Sequence, residues 1–241
     1  MGHAKRDLGA QPAAEMTTRF AAGKCGYAAR MDKPERRVKR LLEVAGTSYA
    51  AEAGIRIDDK PMPLFQLLVL CMLASKPIDA TIAMRAAREL FKAGLRTPKA
   101  VLESRRQTMI DAFGRAHYVR YDESSATRLT EMAERVRDEF RGDLREIARR
   151  SDHDLPKVKR ILKQFKVIGD TGADIFLREV QDVWTWARPY FDDRATAAAQ
   201  ELGLPTDPAK LSALAAGANA RLAAALVRAS LDDEVRRQVT D

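Results

Sequence analysis

The residues most able to do chemistry in this 241-residue chain surround Gly169, in the stretch Val167-Ile168-Gly169-Asp170-Thr171-Gly172. A Gly-x-x-Gly turn opening an amphipathic run lets backbone approach a phosphate with no Cβ in the way. The first amides of the helix that follows lack intrahelical partners and can donate to an anion. Lys157, Lys159, Arg160, Lys163 and Lys166 surround the turn with positive charge. Three readings fit: a nucleotide-cofactor grip, a grip on the backbone of DNA, or a plain helix corner where glycine serves geometry alone. The cofactor reading lacks its pattern. A dinucleotide fingerprint needs GxGxxG after a strand, and a P-loop needs GxxxxGK followed by Ser or Thr.

Other chemistries find little support. His3, His117 and His153 are scattered, and none has metal-ligand spacing, so no metal is expected. Cys25 and Cys71 are the only cysteines, too few for an iron–sulfur cluster or a zinc ribbon; with no disulfide framework they fit a reducing cytoplasm. No Ser-His-Asp or Cys-His signature appears. No cofactor is expected. The formal net charge of +8 suits a polyanion, either nucleic acid or an anionic surface. The apolar run Leu64 to Leu73 is about half the ~20 residues a membrane span needs, so no membrane partner is expected. The N-terminus lacks an apolar signal region, and the reading is a cytoplasmic protein.

Helices must position these residues. Ala, Leu, Arg and Glu abound, aromatic content is 6%, and no stretch alternates at period two. Residues 1–30 read as a disordered basic tail, and Met31 is an alternative translation start where the regular pattern begins. Asp32 is placed as the N-cap of a helix with Val38, Leu41, Leu42 and Ala45 inward, ended by Gly46. Phe65 to Leu73 is apolar on all sides and belongs in the centre of a bundle. Asp79 caps a helix with Ile82, Ala86, Leu90 and Phe91 on one stripe; Thr97 and Pro98 start a short helix, and Gly114 ends the next. A long helix follows with Ala126, Leu129, Met132, Ala133, Val136 and Phe140 inward. Two short basic helices lead to the glycine turn; the second ends near Phe165, the turn occupies Lys166 to Asp170, and the next helix starts near Thr171. The chain finishes with a helix over 193–203 and another over 208–231. The fold class is all-α, a two-lobed multi-helix bundle.

At the turn the sequence resembles the endonuclease III-like DNA glycosylases, the helix-hairpin-helix–Gly/Pro-rich–Asp superfamily. Phe165 to Ala173 is similar to that family's hairpin, Leu-Pro-Gly-Val-Gly-Arg-Lys-Thr-Ala. Phe65 to Asp79 is similar to its Phe-Glu-Leu-Leu helix, Thr108 to Arg120 to its Ile-x-x-x-Gly-Leu-Tyr segment, and Phe191 to Pro205 to its Val-Asp-Thr-His segment. The four matches run in family order over about residues 62 to 205. The resemblance implies a glycosylase domain over 31–205, with 206–241 a C-terminal helix packed on it. The departures are definite: Val167 replaces the hairpin's first glycine, Thr171 stands at the lyase lysine, Lys76 at the DNA-wedging glutamine, and the four-cysteine cluster is missing.

The resemblance also implies a chemistry. Hydrolysing an N-glycosidic bond builds positive charge on the sugar, which a carboxylate near C1′ stabilises while orienting a water. By alignment that carboxylate is Asp192, with Asp193 as runner-up; an Asp before this helix is equally an N-cap. Without an amine at position 171 the enzyme would be monofunctional. The hairpin would bind duplex DNA through Lys163, Lys166, Ile168, Gly169, Thr171 and Gly172, with Lys76 filling the duplex or holding a phosphate. His117, Tyr118, Trp184 and Trp186 are either pocket walls or ordinary core and surface residues. The expected molecule is a monomer that binds double-stranded DNA; the open alternative is a module that keeps the fold and binds DNA without cutting it.

Overall fold

Short polar caps and early prolines set the helix starts. Asp79 accepts from the Thr81 amide at 2.7 Å, Thr97 from Ala100 at 3.2 Å, Asp154 from Lys157 at 2.8 Å and Asp207 from Lys210 at 2.9 Å. Each such cap contributes about 1 kcal/mol. Pro98, Pro156 and Pro208 lie in the first turns that these caps open, where no amide is missed.

The computed structural model of the chain describes residues 33–240 together with Met1, and among them every regular element is helical. The expected basic tail, the start at Met31 and the Asp32 cap lie outside the described residues. The helices are α1 (Lys33–Ala45), α2 (Tyr49–Glu52), α3 (Pro61–Ala74), α4 (Ala80–Lys92), α5 (Pro98–Glu103), α6 (Arg106–Arg115) and α7 (Asp122–Phe140). They continue as α8 (Arg145–Arg150), α9 (Leu155–Leu162), α10 (Asp170–Val180), α11 (Asp193–Glu201), α12 (Pro208–Ala215), α13 (Asn219–Leu231) and α14 (Asp233–Thr240). A single 3-10 turn spans Thr185–Ala187. Among the described residues no helix is long and apolar enough to cross a membrane.

Two groups of helices meet along one element and share one continuous core. In one, α3 packs on α4, α4 on α6, and α7 on both α5 and α6. In the other, α13 packs on α1, α11, α12 and α14. Helix α10 touches α3 on one side and α13 on the other, so it joins the lobes. The all-apolar reading of α3 holds: every residue from Pro63 to Leu73 is buried. Full burial of each large apolar side chain there contributes about 1.5–3 kcal/mol. Cys71 sits inside this helix, and burial pushes its thiol well above the usual range, as expected of an inert core cysteine.

Three expectations need correction. Gly114 does not end α6, which runs on to Arg115; the left-handed residue that turns the chain is His117, with φ of 59°. The span 208–231 is not one helix, because Ala216 (φ 48°) and Gly217 (φ 92°) both turn left-handed and separate α12 from α13. The C-terminal part is therefore three helices, α12 to α14, integral to the lobe built around α13. The helix before the glycine turn also stops early, at Leu162, and the turn spans residues 163–169.

Candidate functional site

The turn between α9 and α10 is held from beneath by apolar anchors. Phe165 and Ile168 are buried, and the Ile168 amide donates to the Phe165 carbonyl at 2.9 Å. Phe165 stacks on Phe140 of α7, with ring centroids 5.6 Å apart. The Arg135 guanidinium lies 5.0 Å over the Phe165 ring and donates to the Gln164 carbonyl, which fixes the end of α9 on α7.

The two glycines serve different purposes. Gly169 is the N-cap of α10 with φ of −88°, so it does not need glycine's left-handed freedom. A Cβ placed there would meet nothing within 4 Å, so the backbone lies open to a partner. Gly172 is buried, and a Cβ there would stand 2.7 Å from Ser75 Oγ and 3.2 Å from Ile168 Cγ2. It is glycine because α10 crosses the end of α3 closely. The amides of Gly169, Thr171 and Gly172 have no intramolecular acceptor among the described residues, while the Gly169 carbonyl accepts from Ala173 at 3.0 Å. These are donors available to an anion.

The lysines around the turn are less free than their count indicates. Lys163 Nζ lies 2.6 Å from Asp170, Lys159 lies 2.7 Å from Asp174, and Lys157 lies 3.2 Å from Asp152. Lys166 reaches Glu131 at 3.8 Å. The hydrogen bond from Lys163 holds the Asp170 carboxyl below the usual range, so a negative charge stands at the first residue of α10. Arg160 is exposed, with no carboxylate within ion-pair distance among the described residues.

Beside this turn a cavity of about 400 Å³ opens between the lobes. Thr171, Ile175 and Arg178 reach it from α10, Lys76 from the end of α3, Arg194 from α11, and Tyr49 from α2. Lys76 and Thr171 both line this cleft. Lys76 sits 5.7 Å over the Tyr121 ring, which also carries Arg120 at 5.3 Å.

Asp192 stands behind this cleft, only 8% exposed. One carboxylate oxygen accepts from the Ala195 amide at 2.9 Å and caps α11; the other accepts from Arg178 Nη1. Arg178 is itself buried at 5% exposure. Asp193, the runner-up, is exposed in the first turn of α11 and has no part in the cleft lining. The cap is made by Asp192 itself, not by its neighbour.

The segment that brings Asp192 to Arg178 is fixed by Gln181. Its Oε1 accepts from the Tyr190 amide at 3.0 Å, and its Nε2 donates to the Tyr190 carbonyl at 2.9 Å. Arg188 donates to the Gln181 carbonyl at 2.6 Å and to the Asp182 carbonyl at 2.7 Å. The Tyr190 hydroxyl donates to Asp174, and burial with that bond raises the phenol far above its ordinary value. Below Arg178, Glu179 is fully enclosed and accepts from the Tyr49 and Ala50 amides at 3.1 and 2.9 Å. Burial raises its carboxyl, against the pull of those amides and Arg178.

The other aromatic candidates lie elsewhere. Tyr118 is core, 5.2 Å from Phe113 with its hydroxyl 3.3 Å from Ser125. Trp184 is core and donates to Asp59 at 2.9 Å; Trp186 stacks on it and meets His153 edge to face. His117 is exposed. Sequence reasoning missed Arg178 and Arg194. The available signal was position alone: Arg178 lies two helical turns after Thr171, and Arg194 lies two residues after Asp192. No group of His, Cys, Asp or Glu among the described residues is arranged to hold a metal ion. Compared with protein-family models, with curated proteins and with solved structures, the chain finds no match.

Proposed function

We propose that the protein binds duplex DNA through the α9–α10 turn and acts on a nucleotide extruded into the neighbouring cleft, as a monofunctional base-excision glycosylase. The observation that carries this reading is the convergence of Lys76, Thr171, Arg178 and Arg194 on one cleft, with the Asp192 carboxylate directly behind Arg178. Free amides at Thr171 and Gly172 and the open backbone at Gly169 suit phosphate contacts, and the cleft suits a flipped nucleotide. In this reading Asp192 stabilises positive charge developing at C1′ and orients the attacking water. Thr171 supplies no amine. Lys76 is the lysine whose amine lines the cleft, while Lys163 and Lys166 face away in ion pairs.

The test is a panel of damaged-base duplexes treated with alkali after incubation, comparing wild type with Asp192→Asn. Strand breaks that vanish in the variant support the reading, and absence of duplex binding at low salt refutes it. Borohydride trapping of a covalent adduct, abolished by Lys76→Ala, would replace the water mechanism with a lyase one. A second reading, DNA binding without cleavage, draws support from one contact. Both oxygens of Asp192 are occupied, and the Arg178 guanidinium neutralises the charge that the sugar would need. Salt-sensitive binding with no cleavage of any substrate supports that alternative.

A further inference from the structure

Apart from Asp192, the cleft holds positive charge that the chain leaves unneutralised. Arg178, Arg194 and Lys76 line it from three different elements, and its lining contains no carboxylate. Arg178 gives one N–H to Asp192, while its Nε–H is buried with no partner and the side chain is 6% exposed. A buried guanidinium N–H carries its desolvation penalty until an acceptor arrives. Arg194, in the first turn of α11, is exposed with no carboxylate within ion-pair distance among the described residues. Lys76 has an aromatic ring beneath it rather than an acid. The remaining wall is mostly apolar, with Leu70, Ile78, Met84 and Ile175, and Tyr49, Ser75 and Thr171 are its hydroxyl-bearing residues. Donors on one side and hydrocarbon on the other fit a ligand with an anionic head and a flat apolar body.

We infer that the cleft contains a phosphate subsite, formed by Arg178 and Arg194 with Lys76 at its mouth, for the phosphate group of a single nucleotide. Guanidinium forks match phosphate oxygens in paired hydrogen bonds, and two of them from different helices fix its position. A cavity of about 400 Å³ is in the size range of small-ligand sites. The phosphate comes either from the DNA strand beside an extruded nucleotide or from a free mononucleotide. Only the first source rests on the function proposed above. In both cases Arg178 serves two anions, and the incoming phosphate draws part of its charge away from Asp192.

The experiment titrates the full chain calorimetrically, at low salt, with a deoxynucleoside monophosphate, the matching nucleoside and inorganic phosphate. In parallel, duplex affinity is measured against salt concentration. The monophosphate is expected to bind, with the nucleoside at least about tenfold weaker. Arg194→Ala should weaken monophosphate binding about fivefold or more without shifting the unfolding midpoint, and Lys76→Ala should do so less. Arg178→Met is the stronger test; if it unfolds the protein, Arg194→Ala still decides. If the monophosphate fails to bind but Arg194→Ala lowers the duplex salt slope by about one, the subsite belongs to the DNA strand. The subsite is refuted if the nucleoside binds as well as the monophosphate. It is equally refuted if Arg194→Ala changes neither measurement. Monophosphate binding without any duplex binding would retain the subsite and remove the proposed function.

Discussion

The turn before α10 and the cleft beside it are both built around cations, but they treat them differently. At the turn each lysine has an acid within 4 Å, and these pairs lie at the surface. In the cleft Lys76 and Arg194 have no acid within ion-pair distance among the described residues, and Arg178 shares a buried contact with Asp192. Exposed pairs contribute about 0–1 kcal/mol, so a phosphate can displace Asp170 from Lys163 at little cost. A buried pair is different: removing one partner strands the other without water. Formal charge read along the chain placed the electrostatic emphasis on the turn. The structure moves it to the cleft.

The sharpest way to break this comparison is Asp192→Asn. If the buried pair is as described, the variant loses about 3–5 kcal/mol in urea unfolding, because Arg178 is left uncompensated. Adding Arg178→Met recovers a large part of that loss. Under the proposed chemistry, single-turnover base release also falls by about 10²–10⁴. An unchanged unfolding midpoint would remove the cleft's distinction from the turn.

The two glycines give the next largest effect. Gly172→Ala places its Cβ against Ser75 and should cost about 1–3 kcal/mol of stability. Gly169→Ala meets nothing and should stay within about 0.5 kcal/mol, while duplex affinity falls by about 1 kcal/mol as the close approach is lost. Equal destabilisation by both would show the turn to be a plain helix corner.

Asp170→Asn tests the turn's neutralised charge directly. It frees Lys163, so duplex binding tightens and its salt slope steepens by about 0.9. Electrophoretic or fluorescence titrations at several salt concentrations read both. No change would mean that DNA does not visit this surface.

The smallest effects are in pH, with opposite signs in the two regions. Glu179, beside Arg178, has a folded value raised above 4.5 by burial, so it binds its proton more tightly folded than unfolded. The stability it contributes is present below the unfolded value and is lost as pH rises through the raised folded value. Asp170 has a folded value lowered from 3.8 by Lys163. Its contribution is present above the unfolded value and is lost as pH falls through the folded one. Urea unfolding across the acid range should show Glu179→Gln and Asp170→Asn removing slopes of opposite direction.

How much of this was legible depended on distance along the chain. The caps at Asp79 and Thr97 were readable because cap, proline and helix lie within four residues. The central α3 was readable because nothing polar interrupts Leu64, Phe65 and the residues up to Leu73 apart from Gln66. The break at Ala216-Gly217 was not, since alanine is the best helix former and alanines on both sides hide the left-handed Ala216. Arg178 and Asp192 are fourteen residues apart, and the segment between them is folded back by the Gln181 clasp on Tyr190, by Arg188 and by the Tyr190–Asp174 bond. The ion pairs at the turn were invisible for a related reason: Lys166 meets Glu131 from a helix thirty-five positions earlier. Lys76 and Thr171, ninety-five positions apart, line one cleft with Arg178 and Arg194, and no local pattern marks the arginines that join them.

Helix α10 carries the open glycine at one end and both Arg178 and Gln181 at the other. Its eleven residues rise about 1.5 Å each, a stiff rod about 16 Å long. The amides at the rod's start and the guanidinium near its finish therefore keep a fixed spacing, set by a helix that packs on both α3 and α13.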